Sequence, residues 1–217
     1  IERASHLIPQ IVQKRYVNLP QFNEGCRLII WGLFKKIAVA DRLGIYVDSV
    51  YGNLYQHSGL TFILATIFFA FQIYCDFSAY SDIARGLGRL MGFDIMVNFR
   101  FPYFARNIRE FWQRWHISLS EWLRDYLYIP LGGNRCGKFK TYRNIFITML
   151  LGGLWHGANW TFVVWGLLHG FFIAGTRFIQ KSSEKENRFN KGIWQIPCII
   201  ATFLLVLLTW VFFRSAS

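Results

Sequence analysis

Two of the five histidines in this 217-residue chain sit where an ionisable ring is costly to place. His156 lies inside LLGGLWHGANWTFVVWGLLHG, residues Leu150 to Gly170, which carries no other ionisable group until His169. His116 lies inside NIREFWQRWHISLSEWLRDYLYIP, residues Asn107 to Pro130, at the edge of an apolar arc and one turn before Ser120. An imidazole titrates near pH 6.5, and burial favours its neutral form. A neutral ring of that kind accepts a proton from a hydroxyl placed within hydrogen-bond reach. The competing reading of His156 is a core histidine held by a nearby carbonyl. That of His116 is an interfacial ring with a polar tip. A third ionisable candidate, Asp76 in CDFSAYSDIARGLGRLMG, stands near the end of an apolar run with Tyr80 on the same helical face. Its competing reading is a carboxylate paired with an arginine such as Arg85. The four cysteines show neither CxxC pairing nor zinc-ligand spacing, so no metal site and no disulfide framework is expected.

The elements that must hold these residues are membrane elements. From Arg143 to His156 is about 20 Å at the helical rise of roughly 1.5 Å per residue. A hydrocarbon core is about 30 Å thick. The runs on either side of His156 are free of charge back to Arg143 and on to Arg177. The pattern predicts a helical hairpin with both outer ends on one side and its bend within the membrane or near its far face. An ionisable residue at that depth is a functional-site hypothesis by default. Gly152, Gly153 and Gly157 suit an interrupted helix, which membrane proteins tolerate only against protein or a water-filled cavity. Trp155, Asn159 and Trp160 are placed to shape the wall of such a cavity. His169 reads as a structural histidine, since buried polar groups are usually paired.

Composition agrees. The chain is 53% hydrophobic and 19% aromatic, with 9 Trp and 22 Phe, more than a soluble core of this length needs. The formal charge of +12 lies in short basic segments between apolar runs, the distribution of cytoplasmic loops rather than of a nucleic-acid-binding stripe. Along the chain, a surface helix is expected before Leu19 and Pro20. A charged run from Asn23 to Tyr51 is expected to lie in the interface or pack on other helices. Ser58 to Tyr74 and Ile193 to Phe213 read as spans. Asn107 to Pro130 reads as one amphipathic helix capped by Asn107. Leu131 to Arg143 and Gln180 to Lys191 read as basic cytoplasmic connections. The chain opens on Ile1 and stops at SAS just after a membrane-type run, which reads as an internal piece of a longer polytopic protein.

FWQRWHISLSEWLRDYLYIPLGGNR followed by GGLWHGANWTFVVWGLLHG resembles the membrane-bound O-acyltransferase family, in its alginate O-acetyltransferase branch, with the teichoic acid D-alanyl transferases as near relatives. GLFKKIAVADRL, IYCDFSAYSDIARGLGRLMGF and the opening IERASHLIPQ resemble segments of the same branch. The resemblance runs from Ile1 to about Phe213. It implies an all-α, polytopic membrane protein: one membrane-embedded domain over residues 1–217, with re-entrant or interfacial helices, truncated at both ends. It implies His156 as the catalytic histidine and His116 as the second active-site residue, a position often filled by asparagine in the wider family. Asp76, Ser120, Trp155 and Asn159 are the further candidates for lining the cavity.

The implied reaction moves an acyl group, most simply acetyl, from a cytoplasmic thioester to a hydroxyl of an extracytoplasmic polysaccharide. His156 would be the general base. His116 would orient the acceptor or donate to the developing oxyanion. No serine sits in a G-x-S-x-G setting, so direct transfer is simpler than an acyl-enzyme. No bound cofactor is implied. The donor, acetyl-coenzyme A or an acyl carrier, is a substrate. Membrane lipid, a polysaccharide acceptor and an acyl-carrier or periplasmic partner protein are the expected partners, with no nucleic acid, in the inner membrane of a bacterial cell. D-alanyl transfer to teichoic acid is the alternative within the resemblance. A transporter or channel subunit is the alternative outside it, disfavoured by the lack of an internal repeat and of several intramembrane charges.

Overall fold

A computed structural model describes residues 1–135, 137–182 and 195–215, the side chains of residues 54 and 180–182 excepted. Every regular element among them is helical. The polar run 183–194, which holds most of the second expected cytoplasmic connection, lies outside the described residues. Among the described residues three helices are long and apolar enough to cross a membrane: Gly59–Leu90, Trp160–Ile179 and Gln195–Arg214. Internal contacts divide the chain into two compact units, Ile1–Asn98 and Phe99–Ser217.

The first unit is α1 (Ala4–Val12), α2 (Leu19–Phe34), a π-helical turn (Lys35–Ala40), α3 (Asp41–Tyr51) and α4 (Gly59–Leu90). The short helix expected before Leu19 is α1, which buries none of its residues. Asn18 caps α2 by accepting from the Gln21 amide at 2.9 Å, with Pro20 in the first turn where its missing N–H is harmless. α2 packs along α4 where Gly25 and Gly86 face each other. A Cβ on Gly25 would come within 2.9 Å of the Gly86 carbonyl oxygen.

The charged run in α2 and α3 is explained by this packing. Lys35 is buried, and its ammonium donates to Ser78 Oγ at 2.9 Å and to Asp82 at 2.7 Å, both on α4. Lys36 bridges Asp41 (2.9 Å) and Asp76 (2.6 Å). The span read over Ser58 to Tyr74 continues as one 32-residue helix. The partner of Asp76 is therefore Lys36 rather than Arg85, whose carboxylate is Asp82 at 3.4 Å.

The second unit is α5 (Ile108–Arg114), α6 (Ile117–Leu123) continued by a π-helical turn (Arg124–Tyr128), α7 (Lys138–His156), α8 (Trp160–Ser182) and α9 (Gln195–Arg214). The hairpin is α7 and α8, turned by Gly157 to Asn159. Its helices meet at bare backbone. A Cβ on Gly153 would strike the Phe162 carbonyl oxygen, and one on Gly166 would strike the Met149 carbonyl oxygen. Small residues allow this close approach in membranes, where dispersion rather than water exclusion holds helices together. Asn144 on α7 is fully buried and donates to the Leu131 and Gly133 carbonyls (3.0 and 3.3 Å), tying the glycine-rich turn to the hairpin.

The expectation of a single amphipathic helix fails. Residues Asn107 to Pro130 are not one helix but two, broken at Trp115 and His116. His116 adopts φ 42° and ψ 56°, the left-handed region that L-residues avoid. Of the expected apolar face, Ile108, Phe111, Trp115, Leu119 and Leu123 are buried and Trp112 is half-buried, but Trp122 and Tyr126 are exposed. The chain keeps its inward side through the break as far as Leu123.

Candidate active site

The site is built around the kink at His116 and the tip of the hairpin, both within the second unit. α5 starts where Asn107 Oδ1 accepts from the Glu110 amide at 2.9 Å, as expected of the cap. Glu110 then reaches back, accepting from the Arg106 amide (2.8 Å) and Nε (3.0 Å), and from Arg114 (2.5 Å). Burial alone would push this carboxyl up, but the hydrogen bonds from Arg106 and the charges of Arg114 and Arg106 outweigh it and hold it below the ordinary carboxylate range. Arg100 N–H donates to the Arg114 carbonyl at 2.9 Å, closing the end of α5. The Trp115 carbonyl, freed by the break, accepts from Ser120 Oγ at 3.2 Å. Ser120 thus holds the kink from the next turn, while the Ser120 amide donates to the His116 carbonyl at 3.0 Å.

His116 is buried, with 6% of its surface exposed. Its ring lies 6.3 Å from the Trp155 ring, and Trp155 lies 5.1 Å from the His156 ring, edge to face. The two imidazoles, from separate segments 40 positions apart, therefore both lie beside one indole. His156 is half-buried at the last position of α7. Its other neighbours are Phe162 (6.2 Å) and Trp165 (5.2 Å) on α8 and Phe213 (5.2 Å) on α9. The ring contacts of His156 among the described residues are aromatic. Gly157 has no room for a side chain, since a Cβ there would meet the Phe162 ring at 2.6 Å.

The remaining candidates fall in different places. Trp155 is 59% exposed while touching both imidazoles. Asn159 is exposed and its Oδ1 accepts from the Thr161 amide (3.1 Å) and hydroxyl (3.3 Å), starting α8. Trp160 is 80% exposed. Asp76 belongs to the first unit and carries its ion pair with Lys36 there.

Sequence reasoning missed a second feature. A cavity of about 530 Å³ opens beside α5 and α6, lined by Arg100, Arg109, Arg124 and Arg177 with Trp112, Ser120 and a single carboxylate, Glu121. Arg177 and the Tyr128 hydroxyl both donate to Asn134 Oδ1, at 2.7 and 2.6 Å. The four arginines come from four segments, so no local motif announces them.

The model of the MBOAT, membrane-bound O-acyltransferase, family matches residues 14–214. The chain belongs to this family. It is 47% identical over 215 residues to a probable alginate O-acetylase of Pseudomonas putida, covering 99% of this chain and 43% of that one. It is 39% identical over 219 residues to a peptidoglycan O-acetyltransferase of Helicobacter pylori, covering 100% of this chain and 41% of that protein. A teichoic acid D-alanyltransferase of Streptococcus thermophilus is 28% identical over 232 residues, with 95% and 55% covered. The chain thus spans roughly two-fifths of the length of its alginate and peptidoglycan relatives. The resemblance carried by the RWHISLS and GLWHGANW segments is confirmed at the level of family, and an all-helical membrane fold goes with it.

Proposed function

We propose that the full-length protein transfers an acetyl group from a cytoplasmic thioester to a hydroxyl of an extracytoplasmic polysaccharide, in the inner membrane of a bacterium. The observation that supports this reading is the shared indole: the rings of His116 and His156, from two separate segments, both lie beside Trp155, at 6.3 and 5.1 Å, and the reading brings one acceptor hydroxyl to both imidazoles there. His156 takes the hydroxyl proton as the oxygen attacks the thioester carbonyl. His116 steadies the acceptor or donates to the oxyanion that forms. Collapse of the tetrahedral intermediate breaks the carbon–sulfur bond, and the proton held by His156 passes to the departing thiolate. Phe162, Trp165 and Phe213 give the base an aromatic wall.

The arginine-lined cavity fits the donor side. Coenzyme A and acyl carriers both present a phosphate at the end of the thioester arm, and guanidinium groups bind phosphate well. Acetyl rather than D-alanyl is favoured by 47% identity to a probable alginate O-acetylase against 28% to a D-alanyltransferase. A carrier protein or a periplasmic protein would complete the route on either side of the membrane.

The test is mass spectrometry of the surface polysaccharide of the native bacterium, with the gene intact, deleted, or carrying His156→Ala. Deletion and His156→Ala should both remove the same acyl mass from the polymer while the variant protein remains in the membrane. Near-normal acylation in the His156→Ala strain would refute the assignment of the base.

A further inference from the structure

His169 on α8 is completely buried. Its ring stacks on Phe111 (6.1 Å, 7° between planes) and stands edge-on to Trp165 at 4.8 Å. Trp112 Nε1–H donates to its Nδ1 at 3.2 Å. An imidazole nitrogen that accepts is unprotonated, so the neutral ring carries its proton on Nε2. That Nε2 is buried with no hydrogen-bond partner among the described residues. A buried polar group left unsatisfied costs stability. Phenylalanine would fill the same stacked slot without that cost. The one thing histidine supplies here that phenylalanine does not is the acceptor for Trp112.

The position of that bond gives it a use. Trp112 is on α5, four residues before His116 at the kink, and also lines the arginine cavity. Trp165 is on α8, one turn before His169, and touches His156 at 5.2 Å. His169 therefore stands between the segment that carries one imidazole and the ring that abuts the other. We propose that His169, through its bond with Trp112, is a positioning residue that sets the separation of His116 and His156. The proposal rests on the acyl-transfer reading above. His169 touches no reacting atom; it holds α5 against α8 so that both imidazoles address one substrate.

The test is acyl groups per sugar on the native polymer, divided by the amount of folded full-length protein in the membrane, with the thermal midpoint of each purified variant beside it. His169→Phe keeps the stacking and removes the acceptor. Trp112→Phe removes the donor. His169→Asn loses the stacking but can offer Oδ1 where Nδ1 stood. The Trp112→Phe/His169→Phe double variant leaves neither partner unpaired but shrinks the packed indole, so it should melt near the wild-type temperature or somewhat below it. Its acylation per molecule should nonetheless fall about 10-fold or more, since misplacement by about an ångström is that costly. The single Phe variants should fall by similar amounts and not multiply, and His169→Asn should retain more activity than His169→Phe. Wild-type acylation by the double variant, or better activity from His169→Phe than from His169→Asn, overturns the proposal, because packing alone then explains the residue. His156→Ala is run alongside: if it stays active, the reading of the site itself has failed, which is a separate result.

Discussion

At the scale of single residues, His116 is the one whose backbone is as informative as its ring. It holds φ 42°, a conformation that costs a non-glycine residue of order 1–3 kcal/mol and recurs at active sites. Asparagine tolerates that region well and β-branched residues do not. His116→Asn should therefore keep the thermal midpoint of the full-length protein near wild type, while His116→Val lowers it by an amount corresponding to about 1–3 kcal/mol. Both should be severely impaired in transfer if the imidazole acts on acceptor or oxyanion. Melting curves and acylation of the same preparations check the two halves of the prediction. Equal melting of the two variants would remove the backbone argument, and undiminished transfer would remove the ring's role.

The elements divide into those that the sequence announces and one that it conceals. The α7–α8 hairpin was legible because charge-free runs end on basic residues and glycines mark the bend. The split of α5 from α6 was not, because neither glycine nor proline stands at Trp115 or His116 and the apolar arc runs on through the break. Ser120 could be flagged only as a polar neighbour of His116; its bond to the Trp115 carbonyl needs the kink to exist first. The hairpin also makes a graded prediction. Gly152→Ala meets only the Leu123 side chain, at 3.2 Å, and should be mild. Gly153→Ala meets backbone at Phe162 and should cost about 1–3 kcal/mol in melting, the usual penalty of overpacking. Similar midpoints for the two would show that the seam between the helices gives way.

The start of α5 adds a dependence on pH. The Glu110 carboxyl is held below its unfolded value by Arg106 and Arg114, so it binds fewer protons folded than unfolded. Its contribution to stability is fully present above the unfolded pKa of about 4.3 and is lost as pH falls through the lower folded value. Melting midpoints between pH 7 and the acid range should fall at the low end, and Glu110→Gln should flatten that fall. An unchanged slope in the variant would remove Glu110 from the account.

For the whole molecule, composition and the spacing of charge identified a membrane protein, and two motifs identified its family, but neither revealed where a phosphate could rest. Arg100, Arg109, Arg124 and Arg177 are scattered over 78 positions and meet only after folding. If they receive the thioester arm, Arg109→Glu with Arg177→Glu should raise the apparent KM for the donor about 10-fold or more, since hydrogen bonds to charged groups are worth roughly 1.5–3 kcal/mol. High salt should weaken donor use by the wild type and have less effect on this variant. Steady-state transfer in membranes at two ionic strengths measures both, and a KM indifferent to the reversal would empty the cavity of that role.

The bare seam between Gly153 and Gly166 has a mechanical corollary. Two helices whose main chains touch without intervening side chains have little room to slide, so the pair behaves as a stiff strut. A host bilayer of different thickness is then met by tilting rather than by stretching. His156, at the end of α7, rises or sinks with that tilt, so the tail length of the surrounding lipids sets its depth.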